Sequence, residues 1–123
     1  MKSIDLGKLT VSQLVDHFTK LALEQYEAEL YDETAKYNRL YDKIIAIRDE
    51  LKGRSGDQRS ALVPLFVHPN PQVRLKAAIY ALAVAPAAAR QALQEISDRN
   101  EYPQAADARF TLEAIERDDF NLT

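Results

Sequence analysis

Between Thr10 and Lys52 the chain contains neither glycine nor proline. Such a run has no local reason to leave the helical conformation, and apolar residues recur through it at helical spacing. A single helix over the whole stretch would be roughly 60 Å long at 1.5 Å per residue, too long for a compact domain of this size. The run must therefore fold back on itself. We place the break between about Ala28 and Thr34, with Asp32 as the cap of the second helix. The start is marked as well: Thr10 and Gln13 have capping-box spacing. The first helix carries Leu14, Phe18, Leu21 and Ala22 on one face, and the second carries Tyr37, Leu40, Ile44, Ile47 and Leu51. Gly53-Arg54-Ser55-Gly56-Asp57 ends the pair as a loop. Met1–Leu9 reads as an extended lead-in.

The second half is punctuated by prolines. A third helix is expected over about Asp57–Val67, kinked by Pro64. Asn70 followed by Pro71 is a helix start: the Asn side chain accepts from first-turn N–H groups, and proline at the first helical position sacrifices no bond. Leu75, Ala78, Ile79 and Leu82 then form the apolar face of a fourth helix that ends before Pro86. A fifth runs from Pro86 to about Asp98 with Ala89, Leu93 and Ile96 inward. A sixth starts near Pro103 with Ala105, Ala108, Leu112 and Ile115 inward. The tail Asp118–Thr123 is expected to fray. A shift of 30 residues superimposes Val63 on Leu93, Phe66 on Ile96, Ala78 on Ala108, Tyr80 on Phe110 and Leu82 on Leu112. We read residues 57–117 as two repeat-like hairpins and residues 1–56 as a divergent third, because one hairpin cannot bury its own apolar face. Gln104 and Asp107, standing where the first copy has Arg74 and Ala77, suggest a more polar outer face on the last hairpin. Alanines 77, 78, 81, 83, 85, 87, 88, 89 and 92 fit close-packed central helices.

Apolar residues make up 46% of the 123, charged residues 28%, and the formal net charge is −3, the balance of an ordinary globular domain. The absence of cysteine excludes disulfides, thiolate metal sites and a cysteine nucleophile. Asp5 stands where a signal peptide would be apolar. The longest uncharged run, Ala77–Ala89, is too short to span a bilayer and contains Pro86. A cytoplasmic protein without a membrane segment is expected.

No residue set supports catalysis or a cofactor. His17 and His68 have no second ligand at i+3 or i+4. Glu24, Glu27 and Glu29 lie in one acidic run and offer like environments, whereas catalytic carboxylates need unlike ones. Gly53–Gly56 lacks the lysine and strand context of a phosphate loop. His68 is expected to end the third helix as a cation favoured by the helix dipole. Tyr26, Tyr31, Tyr37 and Tyr41 cluster with Asn38 and Arg39. Tyrosine and arginine are enriched at binding hot spots, although Tyr37 and Tyr41 also suit a half-buried rim.

The helix opened by Asn70, with Val73-Arg74, the pair Ala77-Ala78 and then Leu82, resembles the second helix of a HEAT repeat, and the proline-bearing Leu62–Phe66 resembles the first. Asn38-Arg39-Leu40, His68-Pro69-Asn70, Val73-Arg74 and Ala77-Ala78 together resemble a small bacterial family of single-domain, HEAT-like proteins held as a domain of unknown function. The resemblance implies an all-α fold: about six helices in three stacked antiparallel hairpins, an alpha-alpha superhelix of armadillo type. It implies that Asn70 and Arg74 brace the repeats, and it implies no activity. The expected function is a non-enzymatic protein–protein interaction module, an immunity-type or adaptor protein for a basic partner. Glu24, Glu27, Glu29, Tyr37, Asn38 and Arg39 are its candidate contact residues, and self-association is open to it. The alternative is a HEAT-like nucleic-acid binder using Arg74, Lys76, Arg109 and Arg117, which the acidic net charge opposes.

Overall fold

Thr10 opens the first long helix through both bonds of the capping box. Its hydroxyl accepts from the Gln13 N–H at 3.1 Å, and its own N–H donates to Gln13 Oε1 at 2.9 Å. The structure, a computed structural model, describes residues 4–118. Every regular element among them is helical, so the fold is all-α. The chain forms two compact units, Met1–Ala61 and Leu62–Thr123.

In the first unit, helix α1 (Val11–Leu30) and helix α2 (Thr34–Gly53) pack on each other. The break falls inside the expected window, but Asp32 does a different job from the one assigned to it. It adopts φ +54° at the residue after the C-cap. Its N–H bonds the Glu29 carbonyl at 3.4 Å, and the Glu33 N–H bonds the Ala28 carbonyl at 2.8 Å. This crossed pair is a Schellman ending for α1, with aspartate where glycine is usual. The residue before α2 is Glu33, which makes no side-chain cap bond. A left-handed L-residue is strained, and a negative charge at a helix C-terminus opposes the dipole. Asp32→Gly is therefore expected to stabilise this unit by about 0.5–1 kcal/mol, read as a raised urea midpoint at unchanged slope.

Leu14, Phe18, Leu21, Ala22 and Ala28 of α1 and Leu40, Ile44, Ile47 and Leu51 of α2 form the core of this unit. Tyr37 is only half-buried at its edge. The lead-in is not simply extended: Leu6–Lys8 makes a 3-10 turn capped by Asp5. Arg54 Nη2 donates to the Leu6 carbonyl at 3.0 Å, tying that turn to the end of α2.

The expected third helix is present as a 3-10 helix, Gln58–Val67, rather than a kinked α-helix. Pro64 has no N–H for an i−4 carbonyl, and its ring clashes with that carbonyl; the tighter i+3 winding avoids an α-helical proline kink.

The second unit contains α3 (Pro71–Ala81), α4 (Pro86–Asp98) and α5 (Gln104–Glu116), each packed on the other two. Asn70 Oδ1 accepts from the N–H groups of Gln72 at 2.8 Å and Val73 at 3.3 Å, capping α3. Helix α3 is buried almost all round, including Gln72, Arg74 and Lys76. The alanines do not behave as one set: 77, 78, 81, 89 and 92 are buried, whereas 87 and 88 face solvent. Gln104 is not on a polar outer face. It is 1% exposed and donates through Nε2 to Gln72 Oε1 at 2.9 Å, joining α5 to α3. The inward set of α5 is Ala105, Ala108, Thr111 and Ala114, with Leu112 and Ile115 only half-buried. The 30-residue correspondence holds for burial at Phe66 and Ile96 and at Ala78 and Ala108, but Tyr80 is buried where Phe110 is exposed. Asp118 ends α5 with φ +59°; the rest of the tail, 119–123, lies outside the described residues, as do residues 1–3. No helix among the described residues is long and apolar enough to cross a membrane.

Candidate functional site

Helix α1 buries one face and leaves the opposite one bare. Leu14, Phe18, Leu21, Gln25 and Ala28 point inward, which at 100° per residue sends Leu23, Glu27 and Leu30 outward together. Leu30 is 61% exposed and Tyr31, the residue that caps the helix, 74%. Glu27 lies between the two leucines and Glu24 beside them, both exposed. The result is a strip of large apolar side chains set among carboxylates.

The structure divides the acidic run between two places. Glu29 is on the other side of α1, at the turn into α2, where it lines a depression of about 160 Å³ with Asp32, Glu33, Thr34 and Tyr37. Glu29 and Tyr37 are thus brought together, away from Glu24 and Glu27. Asn38 and Arg39 are exposed on α2, pointing away from its buried Leu40, Ile44, Ile47 and Leu51 and joining neither group. Among the described residues no group of three or more His, Cys, Asp or Glu is placed to hold a metal ion.

Sequence reading included Tyr31 in the tyrosine cluster but missed Leu23 and Leu30 as contact candidates. The signal was available: Leu23 and Leu30 are seven residues apart and both off the phase of the buried set. On the same helix, burial and the charges of Lys20 and Lys43 hold the His17 imidazolium pKa below its ordinary value, with Glu24 opposing.

The cations proposed for nucleic-acid binding are mostly committed elsewhere. Arg74, its side chain 6% exposed, pairs through Nη2 with both Glu101 oxygens at 3.0 and 3.3 Å and reaches the Pro69 carbonyl at 3.4 Å. This ties α3 to the segment that leads into α5. Lys76 is buried with its amine 6.0 Å from the centre of the Tyr80 ring. Partial burial lifts the Asp107 carboxyl above its ordinary pKa, with the Lys76 charge opposing. Arg109 donates to Ser97 Oγ at 2.9 Å and the Ser97 carbonyl at 2.8 Å, and also to Tyr102 and Asn100. Arg117 is exposed on α5, 4.0 Å from Glu113. His68 directly follows the 3-10 helix, its N–H bonding the Leu65 carbonyl at 3.1 Å, and its Nδ1 accepts from the Asn70 N–H at 3.0 Å, bridging into the α3 cap.

Residues 12–116 match the family described as Domain of unknown function (DUF2019). The chain is also similar to the solved crystal structure of the protein RPA1889 from Rhodopseudomonas palustris CGA009, at 44% identity and a TM-score of 0.93, covering 97% of this chain and 98% of that one. No curated protein matches the chain.

Proposed function

The chain belongs to the DUF2019 family, and from that premise we propose that it is a non-enzymatic protein-interaction module which holds a basic, amphipathic protein segment against α1. The observation that carries this reading is the exposure of Leu23, Leu30 and Tyr31 beside Glu24 and Glu27. Apolar side chains gathered on one helix face beside Glu24 and Glu27, with Lys20 the one cation a turn before Leu23, favour a partner that supplies apolar anchors and Lys or Arg at its rim. A second copy would bring the same carboxylates to the contact, so like charge disfavours self-pairing here. An immunity-type or adaptor role toward a basic protein is the biological form we favour.

We further read the Gln58–Val67/α3 and α4/α5 pairs as divergent HEAT-like repeats. The matched burial of Phe66 with Ile96 and of Ala78 with Ala108 supports this. The nucleic-acid alternative has less support, since Arg74 and Arg109 already have acceptors.

Affinity capture from host lysate tests the reading. The wild-type protein is expected to retain a basic protein at low salt, and less of it at physiological salt, while Leu23→Ser/Leu30→Ser retains little. Recovery of nucleic acid without protein, or equal retention by the variant, would contradict it.

A further inference from the structure

The apolar positions on the outward face of α1 have a spacing that selects what can cover them. Leu23 is 37% exposed and Leu30 61%. They stand seven residues apart, which is two turns and about 10.5 Å along the axis. Half-buried Tyr26 follows Leu23 by three residues, so the three side chains take the a, d and a positions of one short heptad seam. The seam stops in both directions. One heptad before Leu23 stands exposed Asp16, and one before Tyr26 stands Thr19, whose hydroxyl turns back to donate to the Val15 carbonyl at 2.9 Å. One heptad after Tyr26 stands exposed Glu33, beyond the end of α1. Exposed Glu27 lies between the leucines and exposed Glu24 beside them, with Lys20 outside the seam.

An extended strand brings side chains to one face at about 6.8 or 13.6 Å and matches neither leucine pair nor seam. Its own N–H and C=O groups would also need partners, and α1 spends its own within the helix. A helix satisfies its backbone internally and repeats at the same distance of about 10.5 Å. To cover both leucines it must stay beside α1 for two turns, which a shallow crossing of about 20° allows and a steep one of about 50° does not. On the reading of α1 as a contact surface, we propose that its occupant is a basic amphipathic helix of about three turns, lying along α1 at a shallow angle with apolar residues three, four and seven apart. Its Lys or Arg residues fall opposite Glu24 and Glu27.

The probes are two capped peptides of about fourteen residues with one composition, leucine and lysine. One places leucine at helical spacing and the other alternates the two residues. Each is titrated at low salt into the ¹⁵N-labelled full chain and followed by NMR, with Leu23→Ser/Leu30→Ser as the second protein. The helical-spacing peptide is expected to give saturable shifts centred on the amides of residues 23–31. It is expected to bind the wild type at least about tenfold more tightly than the alternating peptide, and to lose at least about tenfold on the variant. Equal or tighter binding by the alternating peptide, still lost in the variant, would overturn the helical occupant and leave the α1 surface standing. Saturable binding unchanged by the variant would overturn both. No saturable binding by either peptide would overturn the helical occupant, while capture of a basic protein from lysate through Leu23 and Leu30 decides the surface separately.

Discussion

Phe18→Ala is expected to cost about 3–5 kcal/mol and to unfold much of the α1–α2 unit under mild conditions. Phe18 is fully buried, between Leu14 and Leu21 on the inward face of α1. Its removal deletes the ring's transfer free energy and leaves a cavity that two long packed helices cannot easily close. A domain is stable by only about 5–15 kcal/mol in all, so this one ring is a large fraction. Phe18→Leu, which keeps most of the volume, is expected to cost about 1 kcal/mol. Urea unfolding followed by circular dichroism reads both. A cost for Phe18→Ala below about 0.5 kcal/mol, the range of ordinary surface changes, would mean that α1 does not pack as described.

Glu101→Ala is the second large effect, expected at about 2 kcal/mol. The loss falls on Arg74, whose side chain is 6% exposed and would keep its charge with no counter-ion, only the Pro69 carbonyl at 3.4 Å. Glu101 itself is 36% exposed at its side chain, so solvent screens the pair, and the figure is set below the 3–5 kcal/mol of a fully buried one. The reverse change, Arg74→Met, leaves a carboxylate that water can reach and is expected to cost less. The double variant Arg74→Met/Glu101→Leu is expected to recover most of the stability, because well-packed apolar groups often replace a buried pair without loss. A double-mutant cycle on urea midpoints separates the pair from its surroundings. If Glu101→Ala and Arg74→Met were equally mild and simply additive, the pair would not brace α3.

The sequence made the ends of helices legible where chemistry admits one reading. Thr10 with Gln13, and Asn70 with Pro71, satisfy orphan N–H groups in ways few other residues can, and both caps form. The α1–α2 break was legible from length, but not the role of Asp32. Aspartate suits an N-cap and also tolerates left-handed φ, and only the Glu33–Ala28 backbone bond decides between the two. Pro64 raised the same kind of ambiguity, since a kinked α-helix and a 3-10 helix both accommodate its missing donor. The candidate site was legible only in part. Its composition was visible as an acidic run, but a run of consecutive letters does not share a face. Glu27 and Glu29 point to different sides of α1 because two residues turn a helix through about 200°. The two leucines that give the face its apolar character carry no polar or charge signal of their own, and only their phase against the buried set of α1 marks them as outward. The repeat register likewise matched positions along helices without fixing neighbours, so it equated buried Tyr80 with exposed Phe110.

The most direct test of the α1 surface is a calorimetric titration of the captured basic protein against the wild-type chain, Leu23→Ser/Leu30→Ser and Glu24→Lys/Glu27→Lys, at low and physiological salt. All four positions are exposed, so the variants are expected to fold as the wild type does. The account predicts that each double variant loses at least about tenfold in affinity, or 1.4 kcal/mol, and that only the charge-reversed one loses its salt dependence. Wild-type affinity in both variants would place the binding surface elsewhere.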